Sequence, residues 1–123
     1  MIENYIYLAG PYSHPNPKVR EERFQEINRV AARLMQRGYV VYSPISHNHP
    51  IALCHDLPIN WDFWSRLDRA FIKHALLMAV LMLPGWKESV GVKAEMAIAR
   101  EFNIPVCLLT PANDWFISLP RKR

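Results

Sequence analysis

The chain has 123 residues, half of them hydrophobic, with a formal charge of +4 and two cysteines, Cys54 and Cys107. That length suits a single domain spanning residues 1–123 around one core, and two cysteines make no disulfide framework. The positive charges are scattered among acids apart from the tail Arg121-Lys122-Arg123, which argues against a nucleic-acid surface; no apolar leader opens the chain and the longest apolar run, residues 76–83, is too short to span a bilayer, so a soluble cytoplasmic protein with no membrane partner is expected.

Residues 4–9 (NYIYLA) read as a short buried strand that ends at the turn Gly10-Pro11-Tyr12-Ser13. From 18 to 37 the apolar residues Val19, Phe24, Ile27, Val30, Ala31 and Leu34 recur at three- and four-residue intervals, which predicts a helix, and Gly38 supplies its stop. Residues 39–42 (YVVY) form a second strand closed by Ser43-Pro44. The prolines and histidines of residues 44–60 predict a long loop with at most one helical turn near 51–54, and loops of that length are usually functional. A helix over 61–74 is capped by Asn60, a third strand covers 77–83, a helix runs over 90–102 behind Ser89, and a fourth strand covers 104–109. Residues 113–119 are expected to form a short terminal turn or helix.

Strands alternating with helices predict an α/β fold with a parallel sheet of four or five strands in the order 2-1-3-4(-5), a flavodoxin-like three-layer sandwich. In that order the switch point lies between strands 1 and 3, where ligands bind beyond the strand carboxyl ends. The topology alone therefore brings Gly10-Pro11-Tyr12-Ser13 against residues 84–89.

Glu95 lies one turn inside the third helix, beyond Gly91, whose bare backbone admits a close ligand, and Ser89, which reads equally as a plain helix cap or as a ligand contact. Asp68 is the second carboxylate, read either as a surface ion pair with Arg69 or as half of an acid/base pair. Two carboxylates in separate environments are the usual means of cleaving a glycosidic bond. Tyr12 and Ser13 follow the first strand, where backbone N–H groups and a hydroxyl hold phosphate, with Arg20 as a candidate partner or a solvated helix residue. Trp86 stands in the turn at the predicted site, with core and site readings both open. His47, His49, His55 and His74, with Asp56, match no metal-ligand spacing, so no metal is assigned; P-loop and dinucleotide fingerprints are lacking, and no cofactor is expected.

Tyr7-Leu8-Ala9-Gly10-Pro11-Tyr12-Ser13, Asp68 before the third strand, and Ser89-x-Gly91-x-x-x-Glu95 followed by Ile104-Pro105-Val106 resemble the nucleoside 2-deoxyribosyltransferase superfamily. Within it the chain looks most like the small DUF1937- and DUF4406-type domains. The resemblance spans nearly the whole chain. It implies cleavage of the N-glycosidic bond of a nucleoside or nucleoside 5′-monophosphate. Glu95 would attack the anomeric carbon to form a covalent glycosyl-enzyme, Asp68 would handle the proton, and Tyr7 would position Glu95. It also implies phosphate contacts from Ser89 and Gly91, and the expected substrate-binding set is completed by Gly10, Pro11, Tyr12, Ser13 and Trp86 from their place at the predicted site. Ser89, in place of the acid common in the transferase branch, tilts the substrate toward a 5′-monophosphate. Members are usually homo-oligomers in which a neighbour's C-terminal segment completes the site, a part for Asn113 or Ser118. The loop Ser46-His47-Asn48-His49-Pro50 departs from the pattern and is read either as setting a different substrate or as capping the pocket, with Tyr42 and His47 lining it. A non-catalytic nucleotide-binding module on the same fold is the alternative.

Overall fold

A computed structural model describes residues 4–111. Its elements are β1 (Ile6–Ala9), α1 (Pro17–Gln36), β2 (Val41–Tyr42), α2 (Pro44–Cys54), α3 (Trp61–Ile72), β3 (Leu77–Leu81), α4 (Val90–Glu101) and β4 (Val106–Leu109). The described strands form one all-parallel sheet of order β2-β1-β3-β4, with Tyr7 beside Tyr42 on one side and Met78 on the other. This is the flavodoxin-like order expected from the sequence, with helices on both faces. The residues named above as Asn113 and Ser118 lie outside the described residues. Among the described residues, no helix is long and apolar enough to cross a membrane.

The pleat explains the layers. Successive strand residues point to opposite faces, so a central strand buried on both sides must be apolar throughout. Ile6 and Leu8 of β1, with Leu77, Ala79 and Leu81 of β3, pack on Ile27, Val30, Ala31 and Leu34 of α1. Tyr7 and Ala9, with Met78 and Val80, pack on Ile72 of α3 and Val92, Ile98 and Ala99 of α4. Each fully buried Leu or Ile contributes about 1.5–3 kcal/mol of hydrophobic stabilisation. Gly10 ends β1 where the layers close in, and a Cβ there would stand 3.1 Å from Ile27 Cδ1.

The helix ends follow local chemistry. Asn16 caps α1 by accepting from the Lys18 N–H, and Pro17 takes the first helical position, where its missing N–H costs nothing. Beyond α4, Asn103 adopts a left-handed φ of 57° and the Ile104 N–H returns to the Ala99 carbonyl. The strands are shorter than the apolar runs that predict them: β3 stops at Leu81 and β4 starts only after Pro105, which has no N–H to give a ladder.

Residues 44–60 differ from the expected loop. Eleven of them form α2. Ser43 is its cap and Pro44 its first residue, and the Ser46 hydroxyl donates to Asn28 Oδ1 on α1. Ile45, Asn48, His49 and Ala52 are all buried at helical spacing. Pro50 falls inside the helix with its ring exposed. The loop reading failed because polar residues, Asn48 and His49, fill the middle of the inward stripe, which lines a cavity while Ile45 also packs into the core.

Candidate active site

A cavity of about 390 Å³ opens beyond the carboxyl ends of β1 and β3. The turn after β1 supplies Gly10, Tyr12 and Ser13, the start of α4 supplies Ser89, Val90 and Gly91, and Glu95 stands one turn deeper. α2 contributes Asn48 and His49, while α3 contributes Trp61, Trp64 and Asp68.

Glu95 is 5% exposed and occupies the inner stripe of α4 between Val92 and Ile98, a position where the fold would otherwise place an apolar residue. The Tyr7 hydroxyl, itself fully buried on β1, donates to Glu95 Oε2 at 2.5 Å. Burial pushes the Glu95 carboxyl up to about 8; the Tyr7 hydrogen bond pulls against this and the nearby Asp68 adds to it. Burial followed by the Glu95 charge holds the Tyr7 phenol well above its ordinary value, so Tyr7 remains a donor.

Asp68 is also buried, on the same inward face of α3 as Ile72. Arg69 points elsewhere and pairs with Glu101 through a 2.6 Å contact, so the surface ion-pair reading of Asp68 does not apply. Burial raises the Asp68 carboxyl to about 6, while the Asn48 amide, which donates to Oδ1 at 3.2 Å, and His47 lower it. Two buried carboxyls with separate partners therefore face one cavity.

The other sequence candidates are placed as follows. Ser89 caps α4 by accepting from the Val92 N–H at 3.2 Å, and it also lines the cavity. A Cβ on Gly91 would meet only Ser89 Oγ, at 3.9 Å; the space above it is the cavity. The Ser13 hydroxyl donates to the Ile59 carbonyl at 2.7 Å, and the Ser13 carbonyl accepts from Arg23, which also reaches the Pro84 carbonyl and so ties the two site loops together. Arg20 donates to the His14 carbonyl. Pro11 is fully buried and off the cavity wall. Trp86 packs beside the α4 core, with the Lys87 ammonium 5.8 Å from its ring, and it is not on the wall either. Tyr42 and His47 also stand back from it: Tyr42 stacks on Phe71 at 4.1 Å and His47 Nδ1 lies 2.7 Å from Asn48 Oδ1. The histidine on the wall is His49. Among the described residues, no three His, Cys, Asp or Glu side chains converge as metal ligands.

Asn48, His49, Trp61 and Trp64 were not picked out as site residues by sequence. Their signal was periodicity: 45, 48, 49 and 52 repeat as a helix face, and Trp61, Trp64, Asp68 and Ile72 as another. A polar residue inside such a stripe marks a surface turned toward a ligand space.

No curated protein matches the chain. The family described as domain of unknown function, DUF1937, matches residues 4–110, which takes in every strand and helix described above and both buried carboxyls. The chain belongs to the DUF1937 family.

Proposed function

We propose that the cavity is the active site of an N-glycosidase acting on a nucleoside or nucleoside 5′-monophosphate, by hydrolysis or by transfer to another base, and that the domain is kin to the nucleoside 2-deoxyribosyltransferases. The observation that carries this reading is the buried pair: Glu95 held by Tyr7, and Asp68 held by Asn48, on one cavity. Glu95, when ionised, attacks the anomeric carbon, and the Tyr7 hydrogen bond keeps the attacking oxygen pair aimed. Asp68, protonated, gives its proton to the departing base. Two successive displacements retain the configuration at the anomeric carbon. The Trp61 and Trp64 rings offer flat apolar surface for a base, and the N–H groups at the start of α4 offer an anion subsite for a 5′-phosphate. The proposed kinship carries with it assembly as a homo-oligomer.

Between about pH 6 and 8 the two carboxyls hold one proton between them. That proton sits mainly on Glu95, and the reactive arrangement is the minority form that carries it on Asp68 and leaves Glu95 ionised. The expected kcat/KM profile is a bell with limbs near 6 and 8, which belong to the pair rather than to either residue. The test of the reading is base release from a panel of ribo- and deoxyribonucleosides and their 5′-monophosphates, with and without an added free base. Release that Glu95→Gln abolishes supports it. Tight binding without release from folded protein selects a nucleotide-binding module instead.

A further inference from the structure

The cavity carries a second set of titratable groups that the carboxyl pair does not use. Tyr12 lines the cavity, and its hydroxyl lies 2.6 Å from Nδ1 of His49. His49 is 3% exposed, and its Nε2 lies 2.9 Å from Oε1 of Glu21, whose side chain is 48% exposed on α1. The Phe24 ring lies 4.4 Å from the imidazole and fixes its plane. The chain of contacts runs from the cavity wall, through a buried ring, to solvent.

Its direction follows from what each group can donate. The Glu21 carboxyl is held below its ordinary value, first by the Gln25 amide and then by His49, so it accepts. Nε2 therefore carries the imidazole proton and donates to Glu21. Nδ1 is left with a lone pair and accepts the Tyr12 O–H. The Tyr12 hydrogen is thereby committed to His49; of the two lone pairs on its oxygen, one accepts from Arg20 and the other is left for a group in the cavity that both rings line. Burial raises the Tyr12 phenol, and the Arg20 guanidinium beside it partly offsets that, easing the passage of its proton. A chain in this order acts as a base: it takes a proton at the cavity end and passes one toward solvent.

We propose that Tyr12, His49 and Glu21 form the base that draws a proton from the water resolving the glycosyl–Glu95 intermediate, an inference that rests on the N-glycosidase reading above. The water oxygen bonds to the anomeric carbon as the bond from that carbon to Glu95 breaks, and the electron pair returns to the carboxylate. The water proton moves to the Tyr12 oxygen while the Tyr12 proton moves to Nδ1. The imidazolium stands against Glu21, and loss of a proton to bulk water at that exposed end resets the chain. Tyr12 touches the reacting water. His49 and Glu21 are positioning residues that act through it. Asp68 serves the first step, release of the base.

The experiment is rapid-quench base release on the best substrate of the panel, comparing wild type with Glu21→Gln, His49→Gln, Tyr12→Phe and the Glu21→Gln/His49→Gln double variant. The relay variants are expected to keep the fast release of one equivalent of base and to lose steady-state rate by about 100-fold or more. The double variant is expected to be no slower than His49→Gln alone, because the groups act as a unit. Asp68→Asn is expected to lose the fast phase. In the ligand-free protein, the ¹⁵N shifts of the His49 ring are expected to report the Nε2-protonated tautomer. A full steady-state rate in Glu21→Gln, an exposed substitution that leaves packing untouched, overturns the relay while base release stands. Rate losses that multiply in the double variant, loss of the fast phase in the relay variants, or the Nδ1-protonated tautomer also overturn it. No base release from folded wild-type protein removes the N-glycosidase reading, and the relay's role with it.

Discussion

Glu95 puts a carboxyl where a helix facing a core should carry Val or Ile, between Val92 and Ile98. That placement has a thermodynamic signature. Both site carboxyls titrate higher in the folded protein than in the unfolded chain, so the unfolded chain gives up its protons first as pH rises. The stability linked to them is complete below the ordinary carboxyl range, and is lost as pH climbs through about 6 for Asp68 and about 8 for Glu95. Glu95→Gln is therefore expected to abolish turnover yet stabilise the fold at pH 8, by roughly 2–4 kcal/mol, with the gain vanishing near pH 4. Thermal unfolding of both proteins across that range checks the sign; a variant less stable at pH 8 than at pH 4 relative to wild type contradicts it. Tyr7→Phe removes the donor that favours ionised Glu95. The Glu95 carboxyl should then titrate higher still, and the alkaline limb of the kcat/KM profile should move up while kcat falls.

At the scale of elements, α2 is the piece that the sequence disguised. Its cap at Ser43 is ordinary, and Ser43→Ala should cost about 1 kcal/mol in chemical denaturation. Pro50 is the internal flaw: its ring removes the N–H that would meet the Ser46 carbonyl, on the exposed side of the helix. Pro50→Ala restores that bond but loosens the unfolded chain. The net expectation is a gain of about 1–2 kcal/mol with turnover unchanged, since Pro50 is off the cavity wall. A loss of stability would mean that Pro50 is needed to seat Asn48 and His49. On α4, Gly91→Leu puts a side chain into the cavity space above Ser89 rather than into the core. Folding should survive and KM should rise.

At the scale of the molecule, one alternating strand couples the two halves of the interior. Ile6 and Leu8 of β1 serve one layer, while Tyr7 serves the other and ends on Glu95. A large-to-small change on the far face tests this separation. Leu8→Ala should cost about 2–5 kcal/mol in urea unfolding. Under conditions where the variant is still folded, it should leave KM unchanged, because its cavity opens on the α1 side.

The sequence by itself determined the layers. Runs such as Ile6–Ala9 and Leu77–Leu81 are hydrophobic at every position, as a doubly covered parallel sheet requires, and α1 repeats its apolar residues at helical spacing. It also brought the turn after β1 and the start of α4 together, because strand order fixes where chain ends meet. What it left open is what side chains do at close range. Whether Asp68 meets Arg69 or Asn48, whether His47 or His49 reaches the cavity, and whether residues 44–54 coil or turn all depend on contacts between residues far apart in the chain. Spacing along the chain reports which face of its own element a residue shares. Only tertiary packing decides what stands opposite that face, and a stripe turned toward a cavity looks polar for the same reason that it is useful.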